Sequence, residues 1–427
     1  MEKSDKRYRC YVQILNDELL PAMGCTEPIA IAYAAAKARE VLGLLPEHTV
    51  VEASGNLIKN VKSVTVPNTG GLKGIEAAAA AGLIAGQPEK QLEVIADVPA
   101  QKKKEIAAYL QKKNITVRLA PSDLVLDLTV TVFAGCDTAK VRIVNEHTNL
   151  VLIEKNGKQY LNRQPCGENS SGDGTREALS VDAILDFAKT CDLEDVKPVL
   201  ERQIRYNSAI AQEGLRHPWG ANIGKIIWEC NDSADVRVRA KAKAAAGSDA
   251  RMSGCEMPVV INSGSGNQGL AVSLPVLEYA QALNATQEEL YRALVLANLL
   301  GLHQKEGIGR LSAYCGAVSA GCAAGAGIAF LMHESDKVIK HTIVNCLAIT
   351  SGMICDGAKP SCAAKIASSI DAALLALEMA QHGQQFKDGE GIVKKGVENT
   401  IQNVGRLGKD GMRETDKEIL RMMLENR

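Results

Sequence analysis

Between residues 8 and 20, apolar side chains recur at three- and four-residue spacing (Tyr11, Ile14, Leu15, Leu19), which predicts an amphipathic helix. After Gly24-Cys25-Thr26-Glu27-Pro28, the alanine-rich run from Ile29 to Leu45 predicts a second, with Thr26 as its N-cap and Glu27 and Pro28 in its first turn. The period then shortens. Val50-Val51-Glu52-Ala53-Ser54 and Val61-Lys62-Ser63-Val64-Thr65-Val66 read as strands. The loops beside them, Gly55-Asn56-Leu57-Ile58-Lys59-Asn60 and Pro67-Asn68-Thr69-Gly70-Gly71, are placed where ligand contacts commonly occur. Residues 74–85 return to helix, Leu92–Ala96 reads as a short strand and Lys102–Lys113 as a helix. Val117–Leu119, Val125–Phe133, Ala139–Val144 and Leu150–Lys155 read as alternating strands, the last two joined through Asn145-Glu146-His147-Thr148-Asn149.

From Gln164 to Gly174 the chain is rich in turn residues, and beyond it nearly everything from Val181 to Met422 reads helical. The main interruption is Asn262-Ser263-Gly264-Ser265-Gly266-Asn267-Gln268-Gly269. The expected class is α+β: a mixed α/β domain over residues 1–165, then an all-helical domain over 166–427. Aromatic residues are only 4% of the chain while Ala and Gly abound, so closely approaching helices are expected.

With 49 basic against 50 acidic residues, net charge −1, no field favours nucleic acid or an anionic membrane, and a small molecule is the expected partner. The charged N-terminus, Met1 to Arg7, has no apolar segment behind it, which argues against a signal peptide. The apolar run from Ala317 to Met332 falls short of the roughly 20 residues that span a bilayer and reads as a packed core helix. A cytoplasmic protein is expected, with a homodimer as a possible assembly. Twelve cysteines in such a chain are not a disulfide framework. Eight of them, Cys10, Cys136, Cys166, Cys191, Cys230, Cys255, Cys322 and Cys346, read as plain buried thiols.

The other four have distinctive surroundings. Cys355 and Cys362 have six residues between them, in Gly352-Met353-Ile354-Cys355-Asp356-Gly357-Ala358-Lys359-Pro360-Ser361-Cys362, and 39 residues separate Cys315 from Cys355. Zinc sites use shorter gaps and four ligands, whereas iron–sulfur clusters take thiolates at wide gaps. The spacing fits three cluster ligands or three core thiols. Cys25 precedes a helix start, where partial positive charge favours a thiolate; it reads as a nucleophile or base, or as a small residue before a cap. The Asn262–Gly269 loop can cradle a carboxylate or phosphate, or merely connect helices. Arg251, in Ser248-Asp249-Ala250-Arg251-Met252, can hold a substrate carboxylate or pair with Asp249, and His147 can bind a polar substrate or complete a hairpin turn.

Taken together and in order, Gly24–Pro28, Ser54–Asn60, Ser248–Met252, Ser263–Gly269 and Ser351–Gly357 resemble the L-cysteine desulfidases, relatives of the α-chain of iron–sulfur L-serine dehydratases. The resemblance runs from about residue 8 to about residue 422. It implies a 4Fe–4S enzyme that splits L-cysteine into pyruvate, ammonia and sulfide without pyridoxal phosphate. Cys315, Cys355 and Cys362 would be the cluster ligands, leaving one iron open, and Cys25 the proton acceptor. The substrate shell would come from Ser54, Asn56, Lys59 and Asn60; Asn68 and Thr69; His147, Thr148 and Asn149; Arg251; and Ser263, Ser265, Asn267 and Gln268. The short gap between the last two cysteines favours the desulfidase branch. Three rival readings remain: the same chemistry on L-serine, a pyridoxal-phosphate lyase using the Ser263–Gly269 loop for phosphate, and a non-catalytic cluster or redox-sensing protein.

Overall fold

The computed structural model describes residues 1–122, 124–164, 178–309 and 311–425. The expected domain boundary at 165/166, its turn-rich segment from Pro165 onward and Cys166 lie outside these residues.

The first part of the chain runs α1 (Lys6–Glu18), β1 (Pro21–Met23), α2 (Thr26–Leu42), β2 (His48–Ala53), α3 (Gly55–Val61), α4 (Gly74–Ala85) and α5 (Ala100–Gln111). Five strands follow: β3 (Ile115–Leu119), β4 (Asp127–Ala134), β5 (Asp137–Val144), β6 (Leu150–Lys155) and β7 (Lys158–Asn162). Strands β2 to β7 form one sheet in the order β3-β2-β4-β5-β6-β7. Only β2 and β3 pair in parallel, since α3, α4 and α5 supply the crossover between them. Alternation sets the faces: Leu128, Val130 and Val132 of β4 and Val141 and Ile143 of β5 are fully buried, while Thr129 and Thr131 between them are not.

The remainder is helical: α6 (Val181–Thr190), α7 (Lys197–Arg216), α8 (Ile223–Cys230) and α9 (Val236–Met252), then the strand β8 (Pro258–Val260). After it come α10 (Gly266–Ala282), α11 (Gln287–Glu306), α12 (Gly316–Leu331), α13 (Asp336–Thr350), α14 (Ser361–Gln381), α15 (Val397–Arg406) and α16 (Arg413–Glu425). The α+β class holds, and small residues do allow close crossings. A methyl group on Gly82 of α4 would lie 2.1 Å from the Ala32 carbonyl oxygen of α2, and one on Gly214 of α7 2.0 Å from that of Ala246 in α9. No helix among the described residues is long and apolar enough to cross a membrane.

Five expectations need correction. The helical part is not all helix, because β8 pairs antiparallel with β1 and joins the two parts of the chain; three residues are too few to show an alternating pattern. Residues 55–61 are the helix α3 and not a loop, with Leu57 and Val61 buried one turn apart. Residues 61–66 are accordingly no strand and keep only an isolated bridge, Thr65 to Lys73. Leu92 to Ala96 is no strand: it starts inside a 3₁₀ turn, Pro88–Glu93, and burial of Leu92, Val94 and Ile95 imitates a strand pattern. Finally, Cys136 and Cys230 are exposed and Cys10 is half-buried.

Candidate active site

Four helices begin at one small cavity of about 110 Å³. Cys25 is the N-cap of α2, Ser265 of α10 and Cys315 of α12, while Cys362 lies in the first turn of α14. The expected cap, Thr26, is instead the first helical residue, and its hydroxyl donates to the Gly264 carbonyl at 2.9 Å. None of the four N-cap residues makes a side-chain cap hydrogen bond. Four positive dipole ends therefore converge where an anion can be received.

The backbone explains how cysteines far apart in sequence meet. Tyr314 and Ile354 form an antiparallel bridge, with the Cys315 N–H donating to the Met353 carbonyl (3.1 Å) and the Cys355 N–H to that of Ala313 (2.6 Å). Cys355 and Cys362 are linked by a loop whose Asp356 pairs with Lys359 and with Lys365 (2.5 Å). Burial alone would raise the Asp356 carboxyl, but hydrogen bonds from Lys359 and Lys365 outweigh it and hold the group at about 2. Across the cavity, Cys25 is 1% exposed and its Sγ lies 3.9 Å from the Met252 Sδ.

Arg251 is buried at the end of α9 and donates from Nε to the Gly24 carbonyl at 3.0 Å. It does not pair with Asp249, whose carboxylate accepts instead from the Gly224 N–H at the start of α8 (2.9 Å). Burial pushes Asp249 up to about 6, opposed by the N–H groups of Gly224 and Ile223. The sign follows. A carboxyl that binds its proton more tightly when folded adds stability below its unfolded value of 3.8, and that stability is lost as pH rises towards about 6. Asp249→Asn should remove this slope. The stability difference, variant minus native, should grow by on the order of 2 kcal/mol between about pH 4 and pH 6, as read by chemical denaturation across pH; a constant difference would refute it.

Of the residues expected around a substrate, Asn60, His147, Arg251, Ser263, Ser265, Asn267 and Gln268 line this cavity with the four cysteines. The others do not. Ser54, Asn56 and Lys59 line a larger adjoining cavity of about 820 Å³. The Ser54 hydroxyl donates to the Val125 carbonyl and Lys59 ion-pairs with Asp416. Asn68 donates to the Ile95 and Ala96 carbonyls and so ties its turn to the segment before α5, while Thr69 donates to the Val66 carbonyl of its own turn. Asn149 donates to the Val144 carbonyl across the β5–β6 turn, and neither it nor Thr148 reaches the cavity.

Two cavity residues escaped the sequence reading. Glu27 accepts from Asn60 Nδ2 at 3.0 Å; its place in the Gly24–Pro28 motif was the available signal. Lys305 is 3% exposed, borders both cavities, and has no carboxylate ion partner among the described residues. Burial lowers its ammonium to about 8, against the pull of Cys355 and Cys315. In the sequence it sits in the polar run Gln304-Lys305-Glu306, which reads as an exposed helix end.

The donor set can be tested against an iron–sulfur cluster. Among the described residues, no three His, Cys, Asp or Glu side chains are grouped to hold a single metal ion. A cluster makes a different demand, one thiolate at each of several irons, and Cys315, Cys355 and Cys362 surround one cavity in that way. Burial pushes Cys315 up to about 12 and raises Cys362, and the nearby Cys355 raises both further. Cys315 and Cys362 ionise together only beside a compensating positive charge. The residues present fit the group.

The chain matches a family model described as the serine dehydratase alpha chain over residues 89–421. It is 56% identical to a UPF0597 protein of Desulfitobacterium hafniense over 99% of this chain and 98% of the relative. A UPF0597 protein of Lachnoclostridium phytofermentans is 49% identical over 98% and 100%, and one of Treponema denticola 46% identical over the full length of both. Fold and cavity are thus those of a chain similar to these relatives from end to end. The chain belongs to the serine dehydratase α-chain family.

Proposed function

We propose that this protein is an iron–sulfur-dependent lyase, independent of pyridoxal phosphate, that degrades L-cysteine to pyruvate, ammonia and sulfide by α,β-elimination. The supporting observation is the one small cavity that Cys25 shares with Cys315, Cys355 and Cys362, in a chain of the serine dehydratase α-chain family. A 4Fe–4S cluster held by those three cysteines would supply a Lewis-acidic iron to the leaving group.

The rest of the work falls to the protein. Arg251, Lys305 and the uncapped start of α10 offer positive charge and N–H donors to the substrate carboxylate. Asn267 presents an amide oxygen that has no hydrogen-bond partner among the described residues, suited to the substrate ammonium. Cys25 stands opposite as the acceptor of the Cα proton. Loss of that proton and of the Cβ–S bond leaves aminoacrylate, which tautomerises to an imine and hydrolyses to pyruvate and ammonia. At about 110 Å³ the cavity is well below the roughly 300 Å³ at which drug-sized sites begin, which limits the substrate to a small molecule.

L-serine is the second reading, because it differs from L-cysteine only in oxygen for sulfur. Anaerobic purification, iron and acid-labile sulfide analysis, and parallel assays on both amino acids without added pyridoxal phosphate test the proposal. About four irons per chain, sulfide release from L-cysteine and loss of activity in air are expected. Faster pyruvate release from L-serine would reassign the substrate. Iron and sulfide without turnover would indicate a non-catalytic cluster protein.

A further inference from the structure

We propose that Lys59 is the positioning residue of the Cys355 loop, and that it fastens this loop to the C-terminal helix α16 through Asp416. The resemblance would place Lys59 beside the substrate; the geometry gives its ammonium other work. Its side chain is 1% exposed, and Nζ donates to the Cys355 carbonyl at 3.4 Å while ion-pairing with Asp416. A buried ammonium is costly unless compensated, and these two acceptors compensate it.

The main chain of Lys59 grips the same loop a second time. Gly357 adopts φ +94, and a methyl group there would lie 2.6 Å from the Lys59 carbonyl oxygen. Only glycine suits that conformation and that approach. Lys59 therefore meets the loop at both Cys355 and Gly357. On its other side, α3 carries α16: Leu420 packs where a Gly55 side chain would begin, and Lys62 donates to the Met423 carbonyl. Cys355 is also held by its N–H bond to Ala313 and by packing against the core. The orientation of one cysteine of the cavity thus depends on an acid 61 positions further on, in the last helix. The proposal concerns the loop itself and stands whether or not the cysteines hold a cluster.

The test is site-resolved alkylation by iodoacetamide of the full-length, metal-free protein, followed by mass spectrometry. Losing a charge-assisted hydrogen bond to a loop should let it open more often. Lys59→Met and Asp416→Asn should each speed labelling of Cys355 by about tenfold. The exposed Cys136 should be unaffected and the buried Cys322 should stay protected. Because the two residues act as one unit, the double variant should be no faster than either single, and Lys59→Arg should restore most of the protection. Rates within about twofold of native in both single variants would overturn the proposal; so would multiplicative effects in the double, or Cys322 labelling in step with Cys355, which means general unfolding. In anaerobically loaded protein, both single variants should also lose iron to a chelator faster. A protein that binds no iron would refute the proposed function and leave the labelling result to decide this one.

Discussion

Cys25→Ser is expected to leave the protein folded and its iron bound, and to lower turnover of L-cysteine at least about a thousandfold. The substitution is nearly isosteric at a residue 1% exposed, so packing against Met252 changes little. What changes is the proton acceptor: a serine hydroxyl is far less acidic than a thiol, and its anion is scarce at neutral pH. Cys355→Ser should instead lose iron and turnover together, because it removes a ligand. Iron analysis and steady-state rates on both variants check the contrast. Near-native turnover in Cys25→Ser would remove it from the base role, and retained iron in Cys355→Ser would remove that residue from the ligand set.

The state of Cys25 sharpens this expectation. Burial pushes its thiol up to about 12, against the opposing pull of Arg251. In the free protein the acceptor form is therefore scarce at neutral pH, and kcat/KM should climb with pH until the thiol ionises. The substrate brings part of the remedy, since its ammonium placed near Cys25 favours the thiolate. This division assigns Arg251 and Lys305 to the carboxylate and leaves Cys25 to face the Cα proton.

The legible parts of the molecule were those with a strong local signature. The strands β4, β5 and β6 announce themselves by alternation, and α2 and α12 by long runs of small apolar residues. Three features depend on partners distant in sequence and left no local trace. The β1–β8 pair is only three residues long on each side. The helix α3 looked like a polar loop because Lys59 and Asn60 are polar, yet both are buried, one by Asp416 and the other beside Glu27. Lys305 is likewise a charged residue made interior by tertiary packing. In the site, the resemblance supplied the four cysteines and a generous shell. The structure narrowed that shell, because Asn68, Thr69 and Asn149 spend their polar groups on backbone carbonyls away from the cavity.

Gly269→Ala should cost stability and activity together, and the reason lies in how α10 is seated. A methyl group at position 269 would lie 1.9 Å from the Val260 carbonyl oxygen of β8. That carbonyl has little freedom to retreat. The side chain of Asn207 bonds both strand and helix, accepting from the Val260 N–H at 2.9 Å and donating to the Gly269 carbonyl at 3.1 Å. The helix must therefore shift, at a cost of about 3 kcal/mol or more. Its first turn carries Asn267 and Gln268 into the cavity, and Ser265 stands just before it, so the shift misplaces the groups facing the substrate. A displacement of about 1 Å in such groups costs on the order of a hundredfold in rate. Ala271→Gly, also fully buried in α10, is the control: it weakens the helix by about 1 kcal/mol without a clash and should keep kcat near native. Denaturant titration and kcat at a temperature where both variants are folded separate the two. Native kcat in Gly269→Ala would show that the start of α10 does not have to hold its place for turnover.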